Sequence, residues 1–158
     1  SWDCPFDGPT DPARVAGIVD TACLNGVDRI AIADTIGTAT PGRVTSLVNV
    51  VLPRIGAREL GAHFHNTRGS GLASAYAAVA AGVTRLDSSV GGLGGCPFAP
   101  GASGNIATED LTYLLRDSGV ETGIDLAAAI DAARVARDIV GHDPPCALLR
   151  AGDRMVKS

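Results

Sequence analysis

Two histidines separated by one residue lie in the segment ELGAHFHN, where the sequence predicts a short strand. Side chains alternate between the faces of a strand, so His63 and His65 point the same way, with Cα atoms roughly 6.5–7 Å apart. Two convergent imidazoles are natural ligands for one divalent ion. Ordinary hydrogen bonding by both rings is the alternative, but their place at the end of a strand favours a metal site.

A glycine-rich stretch from Asp87 to Asp110 surrounds a single cysteine, Cys96. Glycine gives the backbone access to positive φ and lets it approach a ligand closely. We interpret the stretch as an active-site loop that presents Cys96, whose thiol can act as a general acid or base once its environment moves its pKa. A long connection with a chance cysteine is the alternative.

Asn105 and Glu109 follow the cysteine, at the start of a predicted helix. The carbonyl oxygen of Asn105 is a suitable ligand for Mg²⁺ or Mn²⁺. Glu109 lies four residues further on, so on one helix face it can reach back to the Asn105 amide and fix which of its atoms faces the ion. Alternatively, Glu109 is a solvated acid that the helix dipole favours.

Asp34 and Thr35 end another predicted strand, DRIAIAD. They either position a substrate or hydrogen-bond neighbouring loops. Within this strand Ile30 and Ile32 alternate with alanines, and the continuous apolar run predicts burial on both faces.

Three such strands alternate with helices, and their starts lie about 25–30 residues apart, which is the rhythm of βα units. The sequence predicts helices at about 12–26, 41–53, 72–81, 107–116 and 126–140, and a frayed tail after Gly141. Each strand ends in polar residues, and α/β folds place their chemistry at the carboxyl ends of parallel strands. We therefore predict a parallel α/β fold. A doubly wound sheet is the competing architecture, but no glycine phosphate fingerprint follows the first strand.

Composition narrows the function classes. The 158 residues are 46% apolar and 19% charged, which is typical of a globular domain. The net charge of −4 argues against a nucleic-acid surface, and no apolar run is long enough to span a bilayer. The four cysteines lack CxxC spacing, so we expect reduced thiols and a cytoplasmic location.

Four segments together resemble the 3-hydroxy-3-methylglutaryl-CoA lyase family of metal-dependent lyase and synthase barrels. They are CPFDG at 4–8, ADTIGTATPG at 33–42, AHFHNTRG at 62–69 and SSVGGLGGCPFAPGASGNIATEDL at 88–111. The resemblance covers nearly the whole chain. The last segment is the most specific, because related condensing enzymes resemble the HxH strand but lack GGLGGCP.

The resemblance implies a (β/α)8 TIM barrel with a bound Mg²⁺ or Mn²⁺ and an acyl-CoA substrate. The implied reaction cleaves 3-hydroxy-3-methylglutaryl-CoA to acetyl-CoA and acetoacetate, in leucine degradation. By position, His63, His65 and Asn105 are implied metal ligands, with Glu109 in support. Cys96 is the implied catalytic thiol, and His63 is implied to help move the proton of the substrate's tertiary alcohol.

The resemblance also implies a partial barrel. A full barrel typically needs roughly 250 residues, and nothing here matches the family's first-strand arginine and metal-binding aspartate. Residues 1–141 correspond to the end of the fifth strand through the eighth strand and its helices, and 142–158 to a tail. Asn66 stands where many relatives have aspartate. We therefore expect weak metal affinity, little turnover by this chain alone, and either a homo-oligomer or dependence on an N-terminal half.

Three alternatives remain open from the sequence. One is a lyase for a longer 3-hydroxyglutaryl-CoA homologue. Another is an enzyme that condenses acetyl-CoA with a keto acid, against which the cysteine loop argues. The third is a non-catalytic half-barrel remnant that folds only with a partner.

Overall fold

A computed structural model describes residues 1–95 and 104–154. Its strands are Asp3–Cys4 (β1), Gly8–Pro9 (β2), Arg29–Ala33 (β3), Glu59–His63 (β4) and Arg85–Asp87 (β5). Its helices are Pro12–Leu24 (α1), Pro41–Val51 (α2), Gly71–Ala80 (α3), Thr108–Asp117 (α4), Leu126–Val140 (α5) and Ala147–Ala151 (α6). Short 3-10 turns follow α2 at Leu52–Arg54 and β5 at Val90–Gly92.

The strands β3, β4 and β5 form a parallel sheet in that order, and helices α2 and α3 make the crossovers. Ile32 lies opposite Ala62, which in turn lies opposite Leu86. The strands β1 and β2 form a small antiparallel hairpin before α1. The parallel α/β fold predicted from the sequence is confirmed.

Local sequence signals fix the helix ends. Asp11 accepts a 2.8 Å hydrogen bond from the backbone N–H of Ala13, and Pro12 is the first residue of α1. Asp125 caps α5 in the same way, through a 3.0 Å bond from Ala128 N–H. Gly141 ends α5 in the left-handed conformation, with φ of 75°. These caps set where the connecting loops begin.

The hydrophobic core lies between one face of the sheet and the helices α1 to α4. Phe64, just beyond β4, is completely buried and packs against Trp2 with ring centroids 5.6 Å apart. The core residues with the lowest exposure come from every layer: Ile32, Val44, Val48, Val51, Ile55, Leu60, Ala62, Ala75, Ala78 and Ile106. Burial of these side chains anchors the carboxyl ends of the strands.

The prediction that β3 is buried on both faces is wrong. Ile30 and Ile32 are buried against the helices, whereas Arg29 and Ala31 on the opposite face are exposed. Successive side chains of a strand alternate between faces, and no element in residues 1–95 or 104–154 covers this second face at Ala31.

The expected frayed tail is also wrong for residues 142–154. They include α6, and Cys146 just before that helix is completely buried. Asp110 of α4 accepts 2.9 Å hydrogen bonds from the first backbone N–H groups of α6, those of Ala147 and Leu148. The carboxylate of Asp110, distant in sequence, therefore caps α6, although the sequence of α6 itself gives little indication of a helix. In the part of the chain that the structure describes, no helix has the length and apolar character to span a membrane.

Candidate metal centre

The imidazoles of His63 and His65 face each other at the carboxyl end of β4. Their Nε2 atoms lie 3.3 Å apart, and the ring planes are inclined at 75°. His63 is half-buried at the end of the strand, and His65 is buried. The strands β3 and β5 fix β4, which ends at His63, and His65, two residues further on, is held by its backbone bridge to Asn105.

A backbone contact sets the tautomer of His65. Its Nδ1 lies 2.7 Å from the carbonyl oxygen of Thr35. A carbonyl oxygen can only accept a hydrogen bond, so Nδ1 carries the proton and Nε2 keeps a lone pair directed at His63. Thr35 thus contributes to this site through its backbone.

His63 has a lowered pKa. Burial is the main cause, and the neighbouring His65 lowers the pKa further, against the opposing carboxylates of Asp87 and Asp34. The ring is therefore neutral at pH 7 and keeps one lone pair. Asp87 was not among the predicted site residues, yet it lies opposite His63 in the sheet. Its place at the end of the next parallel strand is the signal that could have identified it.

Asn105 lies beside His65, because the two residues form an antiparallel backbone bridge. Next to it, the backbone N–H of Asn66 donates to Gly104 O over 3.1 Å. The bridge requires glycine at 104, whose φ is +90° and where a Cβ would lie 1.9 Å from Gly94 O. Glycine at 104 therefore permits the close backbone approach that brings Asn105 beside His65.

The side chain of Asn105 is oriented by the turn after β5. Its Nδ2 donates to Leu93 O over 2.9 Å, which leaves the carbonyl oxygen Oδ1, the ligating atom of an amide, outside this bond. Sequence reasoning missed Leu93, since no side-chain signal marks a backbone carbonyl.

These groups fit a shared divalent cation. Two nitrogens that each lie about 2.1 Å from one ion are about 3.0 Å apart in octahedral geometry and about 3.4 Å apart in tetrahedral geometry. The observed distance between the two Nε2 atoms, 3.3 Å, falls between these values. Within residues 1–95 and 104–154, no three His, Cys, Asp or Glu side chains are grouped to hold a metal ion. The fit therefore rests on the spacing of the two imidazoles, with Asn105, bridged to His65 through the backbone, as the candidate third ligand.

Glu109 is directed away from Asn105. The helix α4 begins only at Thr108, so Asn105 and Glu109 do not share a helix face. The carboxylate is completely buried and accepts the backbone N–H of Gly91 at 3.1 and 3.0 Å. It also accepts a longer bond, of 3.5 Å, from the thiol of Cys146. Both readings that the sequence left open for Glu109, contact with the amide and a solvated acid, are wrong, because its buried oxygens hold the turn after β5.

Asp34 is almost completely buried and braces the loop after β3. Its two carboxylate oxygens accept the backbone N–H groups of Thr38 and Ala39, each over 3.0 Å. Of the two readings that the sequence left open, these contacts support the bonding of a neighbouring loop. This loop carries the Thr35 carbonyl that orients His65.

Cys96, the predicted catalytic thiol, lies outside the described residues. The backbone that leads to it is described as far as Gly95, and this part is fixed by the contacts of Gly91 and Leu93 given above.

Comparison with solved structures gives the class of the fold. A lyase from Acinetobacter baumannii, described as an HMG-CoA lyase in complex with coenzyme A and 3-methylmalate, superposes with a TM-score of 0.93 and 44% identity. The match covers 99% of this chain and 52% of that chain. The present chain therefore shares the α/β fold of HMG-CoA lyases.

The chain belongs to the HMGL-like family, whose model matches residues 1–136. It is 44% identical over 152 residues to (R)-citramalyl-CoA lyase of Chloroflexus aurantiacus. This match covers 96% of the present chain and 48% of that relative. It is 42% identical over 131 residues to a 3-hydroxy-3-isohexenylglutaryl-CoA/hydroxy-methylglutaryl-CoA lyase of Pseudomonas aeruginosa. This match covers 83% of the present chain and 44% of that relative. The chain thus spans about half the length of the curated relatives it matches.

Proposed function

We propose that this chain is the cation-binding part of an acyl-CoA lyase that cleaves 3-hydroxy-3-methylglutaryl-CoA to acetyl-CoA and acetoacetate. The observation that carries the proposal is the pair of facing Nε2 atoms of His63 and His65, with Asn105 bridged to His65. Membership of the HMGL-like family and the similarity to acyl-CoA lyases support the substrate class.

The proposed cofactor is Mg²⁺ or Mn²⁺, held by His63, His65 and the Oδ1 atom of Asn105. When bound, such a cation polarises the oxygens of the substrate as a Lewis acid. Thr35 O orients the His65 ring of this site, and Leu93 O orients the Asn105 amide.

The proposed reaction is a retro-Claisen cleavage, in which the proton removed from the substrate hydroxyl is matched by the proton added to the enolate. The proton of the tertiary hydroxyl passes to a base, and we propose that His63 helps to move it through Nδ1, because Nε2 holds the cation. The bond between C2 and C3 breaks, its electron pair stays on C2 as the thioester enolate, and C3 becomes the ketone of acetoacetate. The thiol of Cys96 then protonates C2, which gives acetyl-CoA, and the proton taken up by the base returns to the Cys96 thiolate.

We further propose that the chain supplies half of a (β/α)8 barrel and acts with a complementary half. The strand β3 pairs only with β4 among the described strands, and the second face of the sheet is exposed at Ala31. A groove of about 560 Å³ runs along this edge between β3 and α1. The curated relatives are about twice as long as this chain, so the complementary half that we propose is one that these relatives carry. The scattered free thiols support a cytoplasmic location.

The test is a lyase assay of this chain alone and co-expressed with the N-terminal half of the Chloroflexus aurantiacus relative. We expect turnover of 3-hydroxy-3-methylglutaryl-CoA only when both halves are present. The turnover rate should fall at least about 1,000-fold in Cys96→Ala and in His63→Ala, as it does when central catalytic groups are removed. Cys23→Ala, at the end of α1, is the matched control. Turnover that survives both active-site substitutions would contradict the proposal, and full activity of the chain alone would remove the need for a partner half.

The second candidate substrate is (R)-citramalyl-CoA, which has one methylene fewer. A match over 152 of 158 residues must include residues 144–151, so the similarity to the citramalyl-CoA lyase extends past the family model into α6. The same bond cleavage would release pyruvate in place of acetoacetate, so the two products distinguish the candidates. The Pseudomonas aeruginosa relative supports testing a longer 3-hydroxyglutaryl-CoA in the same assay.

A further inference from the structure

The C-terminal segment Pro144–Leu149 packs directly on the turn that leads to Cys96. Pro144 is completely buried against Gly91, where a Cβ would lie 2.9 Å from the Pro144 Cβ. Pro145 lies against Gly92 in the same way, 3.4 Å from the position of a Cβ. Both glycines have positive φ, of 63° and 72°. Only glycine combines this conformation with so close an approach.

A buried polar contact joins the same two segments. Both carboxylate oxygens of Glu109 accept the N–H of Gly91, and Oε2 also accepts the thiol of Cys146. Burial raises the pKa of Cys146 to about 12, so the thiol keeps the proton it donates. Glu109 thus connects the turn after β5 with the C-terminal segment.

The C-terminal segment is itself fixed to α4 at two places. Asp110 accepts the first backbone N–H groups of α6 and also contacts the Cys146 thiol, at 3.4 Å. Beyond α6, Arg116 makes two 2.8 Å hydrogen bonds to the carboxylate of Asp153. These contacts hold the segment on α4.

The contacts continue from the turn to the candidate cation ligands. Leu93, two residues after Gly91, accepts the Asn105 side chain through its carbonyl oxygen, and Asn105 is bridged to His65. The space around Gly92 is also limited by the backbone carbonyl oxygen of Asn105, which lies 3.1 Å from the position that a Cβ would take. A displacement of the turn would therefore displace the amide.

From these contacts we propose that Pro144, Cys146 and Glu109 are positioning residues, which set the turn Val90–Gly92 and through it the Asn105 amide. The C-terminal segment lies beyond residues 1–136, which the family model matches. The effect on cation binding rests on the proposed function, whereas the fixing of the turn does not.

Two measurements on the same variants test this inference. Gly91→Ala places a methyl group against Pro144, and Pro144→Gly removes the ring without adding a clash at the turn. Gly56→Ala is the matched control, because Gly56 has the same φ of +63° but nothing within 4 Å of an added Cβ. We would measure amide hydrogen exchange of residues 90–95, Mn²⁺ affinity by electron paramagnetic resonance, and the melting temperature.

We expect exchange at residues 90–95 to be at least about tenfold faster in Gly91→Ala and Pro144→Gly, and Mn²⁺ affinity to be about tenfold weaker, as for outer partners of metal ligands. The Gly56→Ala control should retain both values even where its melting temperature falls.

If Gly91→Ala does not fold, Pro144→Gly decides alone. Unchanged exchange in folded Pro144→Gly would overturn the positioning of the turn. Faster exchange with unchanged Mn²⁺ affinity would overturn its link to Asn105. A wild-type chain that binds no Mn²⁺ would contradict the proposed function, while the exchange data would still decide the role of the C-terminal segment.

Discussion

The Nε2 atoms of His63 and His65 lie 3.3 Å apart, and the proton of His65 is held on the opposite side of its ring by Thr35 O. The Nε2 atom of His65 therefore presents a lone pair to His63. Without a cation, a proton on Nε2 of His63 satisfies this lone pair. With a cation, both Nε2 atoms must be unprotonated, so the proton of His63 must move to Nδ1.

This relationship predicts a tautomer change on cation binding. Titration with Mg²⁺ at pH 7 should convert His63 from the Nε2–H to the Nδ1–H form, while His65 stays in the Nδ1–H form. Long-range ¹H–¹⁵N correlation spectra of the imidazoles measure both tautomers. The exposed His142 serves as the internal control and should not change. A His63 tautomer that is insensitive to saturating Mg²⁺ would argue against a shared cation.

Replacement of Asp34 should destabilise the fold. Asp34→Ala leaves the backbone N–H groups of Thr38 and Ala39 without their carboxylate partner in a buried loop. An unsatisfied buried donor costs about 1–3 kcal/mol, so we expect a decrease of about 2–4 kcal/mol in the free energy of unfolding, measured in urea. The exposed Asp28→Ala control should change it by less than about 0.5 kcal/mol. Equal effects of the two substitutions would contradict the bracing role of Asp34.

Replacement of Gly104 should disrupt the bridge between Asn105 and His65. Gly104→Ala meets Gly94 O at 1.9 Å and has a φ of +90°. Backbone strain and overpacking each cost about 1–3 kcal/mol, so a loss of about 3 kcal/mol or more is expected in urea unfolding. Gly26→Ala has a φ of +77° but open space around it, so it should cost only about 1 kcal/mol. A mild effect at Gly104, similar to that at Gly26, would contradict the close backbone approach.

Cys146 should resist alkylation in the folded chain. Its pKa of about 12 leaves about one thiol in ten thousand ionised at pH 8, and the residue is completely buried. We expect iodoacetamide at pH 8 to modify the partly exposed Cys4 and Cys23 but not Cys146, as read by peptide mass spectrometry. In urea all three should react. Modification of Cys146 in the folded chain as fast as Cys23 would show that its burial against Glu109 is wrong.

Much of the fold could be predicted because its signals are local. The rhythm of apolar strands and the cap residues Asp11 and Gly141 define the βα units without knowledge of distant contacts. The facing of His63 and His65 likewise follows from the two-residue period of a strand. The exposed face of β3 could not be predicted, since it depends on which elements cover the sheet and not on the strand's own apolar residues.

The connections of the site were beyond sequence reasoning for a different physical reason. Glu109 was expected to contact Asn105 because a helix was assumed to include both, but residues 105–107 are extended and α4 starts at Thr108. The partners that orient the site are the backbone carbonyls of Thr35 and Leu93, which any residue type supplies. The order of residues 144–151 depends on Asp110, far away in sequence, so local propensity could not reveal it.

The central claim, that His63 and His65 bind one cation, is tested most directly by pulsed electron paramagnetic resonance of the chain loaded with Mn²⁺. We predict ¹⁴N couplings from two imidazoles in the wild-type chain and in His142→Ala, and from one imidazole in His63→Ala and in His65→Ala. Mn²⁺ spectra without nitrogen coupling in the wild-type chain, or two couplings retained in both single variants, would contradict the account.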